Sequence, residues 1–244
     1  MIFNVVMLIL SLSLILFACF IFTNAIEWFG KKLHFGQGVV GSVFSAIGTA
    51  LPETLIPIIA ILFANGANSA EIGIGAIAGA PFMLSSLAFF VTGFAVLVYS
   101  VLGKRKVNMN VDINVISRDL TFFIVIYGIA VLTTFVHTYV ILKIIIAMLL
   151  LLSYVFYLKI TFNSDTNQVE NVDELYFSRL FKVETSLVWI VVQLCLALVA
   201  IVLGSYFFVK HVEGISIILG MSPLILSIII TPIATELPEK LNSI

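Results

Sequence analysis

Long hydrophobic runs with almost no charged residues alternate with short polar links along the chain. Each run is close to the ~20 residues that an α-helix needs to cross the hydrocarbon core of a bilayer. Transmembrane β-strands would instead give alternating segments of about 10 residues. The pattern predicts an all-α polytopic membrane protein with about seven transmembrane helices, at 3–26, 38–64, 72–101, 119–136, 138–160, 185–209 and 215–244.

The composition agrees with a chain that is surrounded by lipid. Of the 244 residues, 61% are hydrophobic and 10% are charged, whereas soluble domains carry about 25% charged residues. The net charge of −1 offers no basic surface for nucleic acid. No Lys or Arg precedes the first hydrophobic run, which is longer than a signal core of about 7–15 residues, so we expect a retained helix.

The basic residues predict how the helices are oriented. With the N-terminus outside, nine of the twelve basic residues fall on the inner side: Lys31, Lys32, Lys104, Arg105, Lys106, Arg118, Lys159, Arg179 and Lys182. Loops rich in Lys and Arg stay in the cytoplasm. The sequence therefore predicts a multi-pass cell-membrane protein whose N-terminus is outside and whose 161–184 segment is cytoplasmic. We interpret that segment as a solvated linker, with a regulatory or ion-sensing loop as the alternative.

A short acidic motif occurs twice in the chain. The sequence reads GTALPE at 48–53 and ATELPE at 234–239. An acidic residue lies 26 positions before the final glutamate of each motif, and a single offset of 186 residues aligns both acidic pairs: Glu27 with Glu213, and Glu53 with Glu239. In the predicted topology the two motifs lie on helices of opposite direction. The repeats are therefore inverted, as in many secondary transporters.

This repeat divides the chain into three predicted parts. They are a first five-helix inverted repeat at 1–160, a cytoplasmic linker at 161–184, and the first two helices of a truncated second repeat at 185–244.

Each motif combines groups that can hold a hard cation inside a membrane. A proline frees the backbone carbonyl four residues earlier, and a freed carbonyl at membrane depth needs a partner. A carboxylate there costs at least about 2.5–3.5 kcal/mol on insertion scales and is a functional hypothesis by default. Carboxylate, hydroxyl and carbonyl oxygens suit Na⁺, Ca²⁺ or Mg²⁺ rather than soft metals. The side-chain oxygens that could coordinate the cation are those of Glu53, Glu239, Thr49 and Thr235.

A purely structural explanation of each motif is also open. The proline could kink a helix while the glutamate reaches the membrane interface or stays protonated. Two symmetry-related copies favour an ion site instead. The hydrophobic runs hold no nucleophile–base set, and the sequence has no phosphate-binding glycine loop or dinucleotide motif. We therefore expect neither an enzyme nor a bound cofactor.

The motifs also resemble a known family. GTALPE followed by GIGAIAGAPFMLSS at 73–86 resembles the first α-repeat of the sodium/calcium exchanger (cation/calcium antiporter) superfamily, and TPIATELPEKLNSI at 231–244 resembles the start of the second. The resemblance implies a ten-helix fold with a central site between the second, third, seventh and eighth helices. It also implies that Ca²⁺ leaves the cytosol in exchange for Na⁺, or for H⁺ in some branches, by alternating access.

By position, the resemblance implies a set of metal ligands in this chain. They are Glu53, Glu239, Thr49 and Thr235, assisted by backbone carbonyls around Ile47 and Ile233.

The chain departs from the family pattern at positions that affect the ion. The motif often reads GTSxPE, but the serine position holds Ala50 in the first copy and Glu236 in the second. The third helix usually carries a GSN-type segment, whereas this chain reads Gly-Ala-Pro at 79–81, and hydroxyls return only at Ser85 and Ser86. We therefore add Ser85 and Glu236 to the candidate ligands. Glu236 is also a candidate proton carrier.

The second repeat stops at Ile244, soon after its motif. The resemblance therefore implies that a missing C-terminal segment or a partner completes the site, and we expect the segment alone not to transport. Three functions remain open: a sodium/calcium antiporter, an H⁺-coupled cation exchanger, and a truncated, non-transporting membrane subunit.

Overall fold

The computed structural model describes residues 1–33, 44, 47–48, 50–64, 66, 68–104, 113–135, 139–164 and 173–242. The side chains of 114–115, 161–164, 234 and 236–242 lie outside this description. The described residues form helices and no strand, which confirms the all-α prediction.

Nine α-helices are described. They are α1 (Ile2–Lys32), α2 (Leu51–Leu62), α3 (Ser69–Met83), α4 (Phe89–Val101), α5 (Ile113–Thr133), α6 (Val140–Ser164), α7 (Tyr176–Phe181), α8 (Leu187–Leu219) and α9 (Pro223–Asn242). A π-helical turn, Leu84–Ala88, joins α3 to α4.

Five described helical stretches are long and apolar enough to cross a membrane: Ile2–Lys32, Ser69–Val101, Ile116–Thr133, Val140–Ile160 and Leu187–Leu219. Two shorter apolar helices, Leu51–Leu62 and Pro223–Ile233, lie within the remaining two predicted spans. The described helices thus support a multi-pass architecture. The count of seven stays a prediction.

The boundary between the predicted sixth and seventh spans is wrong. The sequence placed it at 210–214, but α8 continues to Leu219. Gly220 then ends the helix in a left-handed conformation, with φ 65°, and Pro223 begins α9. Glycine adopts that conformation without strain, and proline suits the start of a helix. The polar residues around Lys210 and Glu213 suggested a break between two helices, but the helix continues through them.

The third predicted span lies within one helical stretch, Ser69–Val101, which contains a π-helical turn. Pro81 lies inside α3, and the π-helical turn follows three residues later. Proline cannot donate its backbone hydrogen bond and displaces the carbonyl four residues before it. Such π-turns are rare and often lie at functional sites.

The chain divides into two compact units, Met1–Lys104 with Gln168–Ile244, and Arg105–Asn167. In the first unit α1 packs along α8, while α3 packs against both α9 and α2. Its core includes Ile15, Phe208 and Val212, each fully buried. In the second unit α5 packs on α6, and the rings of Phe122 and Tyr157 stack with centroids 4.4 Å apart. The predicted division at 161–184 stays a prediction.

The end of the predicted linker is attached to other helices, although its charged side chains are exposed. Asn24 of α1 donates to the carbonyl of Glu174 at 3.3 Å and accepts from the backbone N–H of Tyr176 at 3.1 Å. Gln193 of α8 is fully buried, and it donates to Asn24 at 3.0 Å and accepts from the N–H of Phe177 at 2.9 Å. These bonds hold the start of α7 against α1 and α8.

Candidate cation-binding site

The first motif lies at the start of α2. Pro52 occupies the first turn of that helix, where its missing N–H leaves no hydrogen bond unmade. Thr54 donates its backbone N–H to the carbonyl of Ala50 at 3.2 Å, so the helical bonding pattern begins at the motif. Glu53 therefore lies in the first helical turn, where the partial positive charge of the helix stabilises a carboxylate. Thr49 lies outside the described residues.

Glu53 is half-buried beside an apolar cavity, with its carboxylate turned away from solvent. Both of its carboxylate oxygens are inaccessible to solvent. Its side chain contributes to an open, apolar cavity of about 440 Å³ that is also lined by Thr54, Pro57, Ile58, Ile61, Leu62 and Ile77. A low-dielectric site of this kind strengthens the attraction between the carboxylate and a bound cation.

A stripe of buried hydroxyls leads along α9 into the second motif. Ser227, Thr231 and Thr235 recur every fourth residue, so they share one face of the helix, and they are 0%, 2% and 3% exposed. Thr235, a predicted ligand, donates its hydroxyl to the carbonyl of Thr231 at 3.1 Å. Glu239 follows Thr235 by one further turn. The side chains of Glu236 and Glu239 lie outside the described part of the chain.

The hydroxyl stripe is directly bonded to α3. Ser227 donates to the carbonyl of Ile72 at 2.7 Å, and its oxygen lies 3.0 Å from the hydroxyl of Thr231. Because a serine has one hydroxyl proton, Thr231 must be the donor in the second bond. The hydrogen bonds along the stripe therefore run in one direction, from Thr231 to Ser227 and from Ser227 to the carbonyl of Ile72. The spacing of 227, 231 and 235 could have revealed Ser227 from the sequence.

Two glycines of α3 allow the close approach of α9. A Cβ built on Gly75 would lie 2.6 Å from the carbonyl oxygen of Leu224, and one built on Gly79 would lie 2.7 Å from the ring of Pro232 and closer still to the carbonyl of Ile228. No larger residue fits against these backbone atoms. Gly79 therefore lets the backbone of α3 approach α9 just before the second motif.

Ser85, a predicted ligand, lies on the π-helical turn after α3. Its side chain is exposed, and its hydroxyl donates to the carbonyl of Phe82 at 3.2 Å. Thr235 is buried on α9 instead. The described contacts do not bring the two hydroxyls together, and the role of Ser85 as a ligand stays a prediction.

The described side chains hold no group of three or more His, Cys, Asp or Glu residues that could bind a metal. Glu236 and Glu239 are not among those side chains. In the described part, the candidate site consists of the buried carboxylate of Glu53 on α2 and the hydroxyl stripe on α9, with α3 packed against both helices.

Comparison with known families matches the chain over most of its length. The family described as sodium/calcium exchanger protein matches residues 3–163 and 189–244. The chain belongs to the sodium/calcium exchanger family. Comparisons with curated proteins and with solved structures gave no match. The family match covers both acidic motifs and confirms the resemblance deduced from them.

Members of this exchanger family are transporters rather than enzymes. Together with the apolar helices, the match makes this chain a multi-pass membrane protein of the cation exchanger type.

Proposed function

We propose that the protein is a secondary active antiporter that exports Ca²⁺ in exchange for Na⁺ by alternating access. The observation that carries this proposal is the buried carboxylate of Glu53 at the start of α2. A buried acid in a membrane-spanning region is expected to serve an ion or a proton. Membership of the exchanger family favours Ca²⁺ and Na⁺ as the ions.

The ligand set extends from α2 to α9. Glu53 and Glu239 supply the carboxylates, and Thr49 and Thr235 supply hydroxyls. Burial of Thr235 and packing of α3 against both motif helices support a site between the two repeats. Inverted repeats place such sites near the bilayer midplane. The proposed orientation puts the N-terminus outside the cell membrane and the 161–184 segment in the cytoplasm.

Flux in liposomes tests the exchange reaction. The complete protein is reconstituted, and Ca²⁺ uptake is followed under a Na⁺ gradient, under a pH gradient without Na⁺, and with neither gradient. The proposal predicts that the Na⁺ gradient alone drives uptake, and that the membrane potential changes the rate if the exchange moves net charge. Uptake that follows the pH gradient and ignores Na⁺ would replace this proposal with H⁺ coupling, for which Glu236 is the candidate carrier.

A further inference from the structure

Two polar contacts between α1 and α8 lie at different levels of this helix pair. At one level Asn4 Oδ1 lies 3.2 Å from His211 Nδ1, and at the other Gln193 donates to Asn24 Oδ1 at 3.0 Å. Asn4 and Asn24 are twenty residues apart on one helix, which corresponds to about 30 Å at a rise of about 1.5 Å per residue. The hydrocarbon core of a bilayer is about 30 Å thick. The two contacts therefore fit its two boundaries.

Both tryptophans of the chain lie just beyond the boundary at Asn24. Trp28 follows Asn24 by four residues on α1, and Trp189 precedes Gln193 by four residues on the antiparallel α8. Each tryptophan is thus about 6 Å outside the core, within an interfacial layer that is about 5–8 Å thick on each side. Tryptophan is enriched at this depth. The Nζ of Lys31 lies 4.5 Å from the centre of the Trp28 ring.

Helix α7 is held at the level of the two tryptophans. Trp28 Nε1 donates to the carbonyl of Asp173 at 2.7 Å, shortly before α7 begins. The ring of Phe181, the last residue of α7, stacks on Trp189 with centroids 5.4 Å apart. Because both ends of this six-residue helix lie beside residues at the headgroup level, α7 lies along that layer and does not cross it.

The exposed side of α7 is apolar and basic. Leu180 is 71% exposed and Phe181 is 53% exposed, although neither lies in one of the described membrane spans. Arg179 and Lys182 are exposed beside them. The apolar surface continues onto the start of α8, where Val188 is exposed at the end of a span. Exposed apolar side chains next to basic ones are typical of helices that lie in the membrane interface.

Acidic side chains decide which lipids this surface fits. Asp173, Glu174 and Glu184 are exposed at the two ends of the same segment. They offset the charge of Arg179 and Lys182, so the surface has no excess of positive charge to attract anionic headgroups. Binding then depends on insertion of the apolar side chains. Zwitterionic phospholipid is therefore sufficient.

We propose that α7 is an interfacial helix and that its partner is the phospholipid headgroup layer. Leu180 and Phe181 insert towards the acyl chains, while Arg179 and Lys182 reach the lipid phosphates. Because the start of α7 is bonded to both α1 and α8, the inserted helix fixes the depth of these two spans in the bilayer. This inference does not depend on which ion the acidic motifs carry.

Fluorescence quenching by brominated lipid measures the depth of α7 directly. The complete protein, carrying Trp28→Phe and Trp189→Phe, receives a single tryptophan through Leu180→Trp and is reconstituted in phosphatidylcholine vesicles. Bromine close to the headgroup should quench this tryptophan more strongly than bromine near the ends of the acyl chains. The same preference is expected in the unaltered protein, because both of its tryptophans lie at the headgroup level. That measurement decides the level if the substituted protein does not fold.

Leu203→Trp in the same background is the matched control. Leu203 is 51% exposed on α8 and lies ten residues beyond Gln193. This places it about 15 Å inside the boundary, close to the midplane of the core. Its tryptophan should show the opposite preference, with stronger quenching by bromine near the chain ends.

Four results would overturn the interfacial helix. Quenching of the Leu180→Trp variant by acrylamide in the water but by neither lipid would show a solvated helix. Quenching by none of the three would show that protein covers it, for example a second copy of this chain. An identical lipid preference in the Leu180→Trp and Leu203→Trp variants would contradict the assigned depth. So would stronger quenching of the unaltered protein by bromine near the chain ends.

Discussion

At the scale of single residues, small side chains and buried oxygens define the candidate site. Gly79 permits contact between α3 and the backbone of α9, and Ser227 bonds across the same contact to Ile72. Membrane helices use such small residues to approach closely, because lipid provides no hydrophobic drive for association. The sequence showed the glutamates and threonines directly. It could not show that Gly79 lies against the backbone of α9, since that depends on the position of α9.

A substitution at Gly79 tests this close contact. Gly79→Ala places a methyl group against the carbonyl of Ile228 and the ring of Pro232, neither of which is a flexible side-chain end. We expect a loss of stability of about 1–3 kcal/mol from overpacking. Gly93→Ala is the matched control, because nothing lies within 4 Å of its Cβ position, and it should be neutral or stabilising by up to about 1 kcal/mol. Thermal unfolding in detergent compares the two, and equal behaviour would contradict the contact.

At the scale of helices, the hydrophobic pattern predicted the positions of the helices better than the residues at which they begin and end. The hydrophobic runs predicted where the apolar helices lie, because a chain in lipid must satisfy its backbone hydrogen bonds within each segment. The break between α8 and α9 was misplaced because the polar residues near 210 are accommodated inside a helix. His211 Nδ1 lies 3.2 Å from Asn4 Oδ1 on α1, and Glu213 bonds to Asn68. Only the tertiary partners of these side chains distinguish such a helix from a loop.

Helix α7 could not be predicted from the sequence for a related reason. It has six residues, fewer than an isolated helix needs in water. Its first turn is held by side chains of α1 and α8 that come from distant positions in the chain. Leu175, which precedes it, is fully buried. The mixed charges of the 161–184 segment indicated solvation, but Leu175 is buried and the N–H of Tyr176 bonds to Asn24.

The anchoring of α7 gives a prediction at the scale of the element. Asn24→Ala removes the acceptor for the N–H of Tyr176 and a bonding partner of Gln193. We expect amide hydrogen exchange at Tyr176 and Phe177 to accelerate by on the order of tenfold or more, because each 1.4 kcal/mol lost in local opening changes that equilibrium tenfold. Asn4→Ala removes the same type of side chain near the other end of α1 and should leave amide exchange at Tyr176 and Phe177 unchanged. Equal exchange in both variants would show that Asn24 does not anchor α7.

At the scale of the whole molecule, the repeat and the family match support the same function from different observations. The offset of 186 residues relates two acidic motifs within this one chain. The family match spans 3–163 and 189–244 and includes both motifs. The structure adds burial of the Glu53 carboxylate and of Thr235, which the repeat alone could not establish. We expect departures such as Ala50 and Glu236 to affect which ion is carried, because ion choice depends on the number and charge of the ligands.

The central claim is that the acidic motif on α2 binds the transported cation, and one flux measurement tests it most directly. Ca²⁺ uptake driven by a Na⁺ gradient is compared in liposomes that contain the complete protein, its Glu53→Gln variant, or its Glu71→Gln variant. Glu53→Gln keeps the shape of the side chain and removes its charge. We expect it to reduce uptake at least about a hundredfold, since loss of a charged ligand bond costs about 3 kcal/mol, while Glu71→Gln retains normal uptake. Equal uptake by the Glu53→Gln variant and the unaltered protein would contradict the account.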